Sequence, residues 1–195
     1  MGQRHQIYYE APEIYYNANN PNNKPAHIEA LHHQWLYGSL PIKALSHLVQ
    51  FIQNDGLEYL GSKPINDIMK AIYSIDYATG YYDPPHLITQ EITGKSGIDF
   101  KDADNNDGIT ILKLPKYPDK KLKYCFMAFC GTEGQRSLEN FKPFSAEEYF
   151  ASYYPNKDAK TPNISKELDM LKVGYGTIEL LTLEEVKAMF PASFQ

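Results

Sequence analysis

Runs and alternations of apolar residues divide this chain into short strands and amphipathic helices. Gln3 to Tyr9 reads as a strand that begins almost at the first residue. The polar string NANNPNNKPAH then breaks the pattern. Asn tolerates left-handed backbone and Pro lacks a donor, so residues 17–27 read as a surface loop. Apolar positions return from Ile28 to Trp35, a second strand. Gly38, Ser39 and Pro41 announce a helix carrying the stripe Ile42, Leu45, Leu48, Val49 and Ile52, with Gly56 past its end. A further helix starts near Ser62, takes Pro64 in its first turn and buries Ile65, Ile68, Met69, Ile72 and Ile75. Residues 76–108 are rich in Gly, Pro and Asp without periodicity and read as mostly irregular.

A hairpin follows. Gly108 to Leu114 places Ile109 and Ile111 on one face, PKYPDKK turns the chain, and Leu122 to Cys130 returns. The return run is apolar on both faces, which suits a central place in a sheet. Residues 145–195 read as mainly helical. Ser145 with Glu148 and Thr182 with Glu185 have capping-box spacing, Ile164 to Lys172 is a helix, and Pro155 and Pro191 act as stops. Tyr175 to Leu181 is a last strand. No repeat or boundary divides the chain, so the expectation is one α+β domain over residues 1–195. Its sheet is mainly antiparallel, with the N-terminal strand inside it and helices packed on it.

Composition narrows the class. Of 195 residues, 43% are hydrophobic and 22% charged, as in ordinary globular proteins. No apolar run approaches the ~18–20 residues of a membrane helix. MGQRHQIYY has no apolar signal segment, and Gln6 stands where a myristoylation signal needs Ser or Thr. No membrane role and a cytoplasmic location are therefore expected. A net charge of -5 argues against a broad phosphate-binding surface. Lys113, Lys116, Lys120, Lys121 and Lys123, interleaved with Tyr117 and Tyr124, read as a solvated turn with edge-protecting lysines in preference to a nucleic-acid track. Cys125 and Cys130 leave opposite faces of a strand, ~17 Å apart along it, well beyond the ~7 Å Cα limit for a disulfide. They read as buried hydrophobes in a reducing compartment.

The histidines hold the candidate chemistry. On strand geometry His5 shares a face with Ile7, and His33 shares one with Leu31 and Trp35, while Arg4 and His32 face outward. Two imidazoles on a core face form either a satisfied hydrogen-bond network or a metal or acid–base site, and the network is the commoner fate. His5, His33 and Arg4 are the candidate catalytic residues. Zinc would need a third ligand from His47, His86 or an acid. No GxSxG elbow or Cys–His pair supplies a nucleophile. The first strand is expected to be buried, with a hydrogen bond to His5. In DADNNDG, Asp102, Asp104 and Asp107 are weak candidate calcium ligands. Counted from Asp102, however, Asp107 occupies the Gly position of a calcium loop and Lys113 that of its closing Glu. A tight turn at Asp107-Gly108 fits better, and no cofactor is expected; calcium and zinc are the alternatives.

Five strings carry a resemblance: MGQRHQ at the start, HHQWLYG at His32 to Gly38, DNNDGIT at Asp104 to Thr110, YCF at Cys125, and SAEEYFASYYP from Ser145. In this order and at comparable spacing they resemble a family of uncharacterised proteins with members in fungi and in bacteria or their phages. The resemblance runs from Met1 to about Pro155 and implies no activity, ligand or catalytic residue. The strand–strand–helix start is also similar to N-terminal-nucleophile amidohydrolases, but removal of Met1 would expose Gly2, so only topology is shared. Sixteen tyrosines, several as doublets, suit an interface as well as they suit coding bias and sheet propensity. The functional expectation is a non-enzymatic binding or assembly protein, phage-encoded in one form and then virion-associated, with a protein partner or self-assembly. The alternative is a hydrolase around His5 and His33, metal-assisted or with the N-terminal-hydrolase topology lacking its nucleophile.

Overall fold

The computed structural model describes residues 4–15, 28–61, 64–74, 84–94, 97–100, 107–129, 141–156, 158–174 and 177–195. Along the chain come β1 (His5–Glu10), β2 (Glu29–His33), α1 (Leu40–Gln53), α2 (Ile65–Ile72), β3 (His86–Leu87), α3 (Thr89–Ile92), β4 (Thr93–Gly94) and β5 (Gly97–Ile98). Then follow β6 (Gly108–Lys113), β7 (Leu122–Ala128), α4 (Ala146–Tyr153), α5 (Ser165–Met170), β8 (Ile178–Leu180) and α6 (Leu183–Met189). Residues 17–27 and Cys130 lie outside the described residues.

Six strands form one sheet in the order β3-β2-β1-β6-β7-β8, while β4 and β5 pair separately. The β1–β2, β2–β3 and β6–β7 pairings are antiparallel, and β1–β6 and β7–β8 are parallel. The chain is thus an α+β domain with a mostly antiparallel sheet and β1 inside it, as the sequence predicts. The apolar β7 takes the interior position expected of it. Gly108, opposite Ala128, shows why the hairpin starts where it does: a Cβ there would lie 2.3 Å from the Met127 carbonyl oxygen.

Both faces of the sheet are covered. Ile7, Tyr9, Leu31, Leu112, Tyr124 and Phe126 pack with α1, α2, α4 and the residues flanking α5. Tyr8, Ala30, Ile109, Ile111, Cys125 and Met127 pack on the other side with Phe100, Val186 and Phe190. The whole predicted stripe of α1 is buried. On α2 the helix starts at Ile65, behind Pro64, and buries Ile65 and Met69, with Ile68 and Ile72 packed against the core.

Two expectations change. The side on which Arg4 and His32 are expected to face outward carries a second core, and His32 Nδ1 accepts there from the buried Gln6 Nε2 at 2.8 Å. Trp35 is 47% exposed and does not share the core face of His33 and Leu31. The strand stops at His33 and the Trp35 N–H turns back onto His33 Nδ1 at 3.0 Å, so the two-residue alternation ends there.

Much of the tyrosine excess is spent inside the fold. The hydroxyl of Tyr9 donates to Asn66 at 2.7 Å, that of Tyr15 to the Pro115 carbonyl at 2.8 Å, and that of Tyr124 to the Leu171 carbonyl at 3.0 Å. Each ring fills core volume while its tip ties a strand or turn to a neighbouring element. Both predicted capping boxes form: Glu148 N–H donates to Ser145 Oγ at 3.2 Å, and Glu185 N–H to Thr182 Oγ1 at 3.2 Å.

Candidate functional site: a buried polar network under helix α4

His5 opens β1, opposite His33 on one side and Gly108 on the other. Asp107 stands one residue before β6, and its backbone is held from both flanks. Its N–H donates to the Arg4 carbonyl at 3.0 Å, and its carbonyl accepts from Phe129 N–H at 2.9 Å. This places the Asp107 carboxylate against the His5 ring, 102 residues away in the chain. His5 Nδ1 lies 3.3 Å from Asp107 Oδ2, and His5 Nε2 lies 2.8 Å from Thr110 Oγ1.

Helix α4 closes the network from above. Tyr149 and Tyr153 stand four residues apart, hence on one helix face. The Tyr149 hydroxyl donates to Asp107 Oδ2 at 3.0 Å, and the Tyr153 hydroxyl to Asp107 Oδ1. The Tyr149 ring stacks on Phe126 at 4.6 Å and meets the edge of His5 at 6.2 Å. His5, Asp107, Thr110 and Tyr149 are each 0% exposed, while Tyr153 is half-buried. Burial, then the neighbouring Asp107 charge, holds the Tyr149 phenol well above the ordinary range, so it stays a donor. Each oxygen of the Asp107 side chain thus accepts a tyrosine hydroxyl, which replaces the water lost on burial.

The network ends at a cleft of about 340 Å³ lined by Tyr153, Tyr154, Asn156, Lys160 and their neighbours. Tyr154 leads back to the loop after β2. It hydrogen-bonds Ser39, and a Cβ on Gly38, whose φ is +58°, would lie 2.8 Å from its hydroxyl. Parts of four of the strings singled out in the sequence therefore meet here: His5, Gly38, Asp107, and the tyrosines of SAEEYFASYYP.

Of the candidate residues, His5 and Asp107 are brought together as hydrogen-bonded partners. His33 faces His5 in register and receives the Trp35 N–H. Arg4 contributes its carbonyl to Asp107. Asp102 and Asp104 lie outside the described residues, and among the described residues no group of three or more His, Cys, Asp or Glu side chains could hold a metal ion. Sequence reasoning missed Thr110, Tyr149 and Tyr153. The i, i+4 spacing of the two tyrosines was the available signal for a polar face on α4.

The opposite end of the sheet carries the basic hairpin tip. Lys113 pairs with Glu10 at 3.5 Å, Lys120 with Asp55 at 2.8 Å, Lys121 with Glu179 at 2.5 Å and Lys123 with Glu185 at 2.7 Å. A cavity of about 320 Å³ lies among Glu10, Lys113, Lys116, Asp119, Lys121 and Lys123. Lys123 is raised above its ordinary value, first by its hydrogen bond to Glu185.

No known family model, curated protein or solved structure matches this chain. Among the described residues, no helix is long and apolar enough to cross a membrane.

Proposed function

We propose that this chain is a binding or assembly protein that contacts a protein partner, or further copies of itself, through the loop between β2 and α1. One observation carries the reading: Trp35, the only tryptophan, is 47% exposed and Tyr37 is 38% exposed. Interfaces are enriched in these residues because a rigid ring buries large area at small entropic cost. The Tyr154 contacts with Gly38 and Ser39 hold the loop against α4, which limits the ordering cost of binding. Four of the hairpin lysines are already matched by carboxylates, which supports a partner other than nucleic acid. The resemblance to a family with phage members supports a phage-encoded form acting in the cytoplasm or the virion.

Light scattering coupled to size-exclusion chromatography, with affinity capture from a native lysate, tests the proposal. The full chain should self-associate or retain a partner. Trp35→Ala with Tyr37→Ala should abolish that association while leaving the melting temperature nearly unchanged. A clean monomer that captures no protein would overturn the reading.

A further inference from the structure

The absence of a recognisable nucleophile weighs against enzymatic activity in the sequence, yet the fold supplies a hydroxyl in the required place. Thr110 Oγ1 lies 2.8 Å from His5 Nε2, while His5 Nδ1 lies 3.3 Å from Asp107 Oδ2. Hydroxyl, imidazole and carboxylate thus stand in the order of a nucleophile, its base and the acid that orients the base. Such a constellation is recognised by geometry and roles, not by fold or chain order. We propose that Thr110, His5 and Asp107 form a latent acyl-transfer relay acting on ester substrates that enter past Tyr153 from the cleft at the end of α4.

The chemistry balances without a cofactor. The Thr110 oxygen bonds to the ester carbonyl carbon as its O–H bond breaks, and His5 Nε2 takes the proton. Collapse of the tetrahedral species breaks the bond to the leaving oxygen, which receives that proton from His5. Water then attacks the acyl-threonine by the same route, releasing the acid and restoring Thr110. Asp107 keeps the Nδ1 proton directed at itself and stabilises the imidazolium that forms. Tyr149 and Tyr153 donate to its two oxygens and fix its orientation.

Latency follows from burial. All three members of the relay are 0% exposed, so a substrate reaches Thr110 only when the end of α4 parts from the sheet. Tyr153 is the fastening there: it lines the cleft, and its hydroxyl binds both the carboxylate and the carbonyl of Asp107. Removing that hydroxyl should expose the relay more often, while Tyr149 still donates to Asp107 Oδ2 and keeps that oxygen against His5.

A fluorophosphonate probe, which phosphonylates activated hydroxyls, gives the direct test on the full chain, read by intact mass and peptide mapping. Wild type should form a single adduct at Thr110, and Tyr153→Phe should form it several-fold faster. Thr110→Val should form none, and Thr110→Ser should regain it. A melting curve for each variant confirms that the folded protein is being labelled. No adduct on folded wild type and Tyr153→Phe, equal labelling of Thr110→Val, or an adduct at another residue would each overturn the proposal. Labelling does not depend on Trp35, so this proposal and the binding role can fail separately.

Discussion

At the start of β1 and β6, a carboxylate and an imidazole meet at 3.3 Å with no exposure to solvent. At the other end of the same two strands, Glu10 and Lys113 meet at 3.5 Å with side chains 24% and 49% exposed. Each end pairs a carboxyl group with a nitrogen base, but the surroundings differ. In the buried network each group has lost its water, so hydroxyls and backbone must replace it, and removing one member strands the rest. Around the hairpin tip, water still competes for every lysine and carboxylate, and each pair is nearly dispensable. The first end can hold a fixed geometry; the second keeps the ends of the interior strands β1, β6 and β7 charged, since the edges of the sheet are β3 and β8.

The largest effect should come from Asp107→Ala. It leaves His5, Tyr149 and Tyr153 without their shared acceptor and should cost about 3–5 kcal/mol, since each stranded buried donor costs about 1–3 kcal/mol. Urea unfolding monitored by Trp35 fluorescence and circular dichroism measures it. A loss below about 1 kcal/mol would place this network on a par with the surface pairs and break the comparison.

Buried and exposed groups should also respond to pH in opposite directions. Tyr149 is raised well above 10.0, and Tyr124, mainly through burial, is pushed up to about 12. Groups raised in the folded state stabilise fully below their unfolded value and lose that contribution as pH rises through the folded one. Melting temperature should therefore fall above pH 10, with tyrosinate absorbance appearing together with unfolding. Glu179 and Glu185 are lowered from 4.5, first by hydrogen bonds from Lys121 and Lys123 respectively. Their contribution is present above that value and lost as pH falls through the lowered one. Tyrosines that all titrate normally in the folded state would contradict the burial argument.

The smallest effect is expected for Lys120→Ala. Its ion pair with Asp55 and its bond to the Gln53 carbonyl, both 2.8 Å, lie at the surface. The loss should stay below about 1 kcal/mol and shrink further with added salt. Paired melts at low and high salt decide it.

Local structure was legible because its causes are local. The stripe from Ile42 to Ile52 names the buried face of α1, the Ser145 and Thr182 boxes mark helix starts, and the doubly apolar run after Leu122 marks an interior strand. Tyr8 and Tyr9, adjacent in β1, had to face opposite ways, and they do, into opposite cores. What failed was the inference from alternation to solvent. Arg4 and His32 look like an outward face until another layer covers that side, and Trp35 looks like core until the strand stops short of it.

The candidate site was half legible. A buried His5 in need of a partner follows from strand period and the cost of burying an imidazole, both properties of a few neighbouring residues. Its partners do not. Asp107 and Thr110 reach His5 because β1 lies parallel beside β6, and Tyr149 and Tyr153 reach Asp107 because α4 packs over that junction. Periodicity says which way a side chain points along its own element, and nothing about which element lies opposite. That choice depends on how all the apolar faces can be buried at once, so only the tertiary structure decided that a turn aspartate, a strand threonine and two helix tyrosines would join one histidine in a single network.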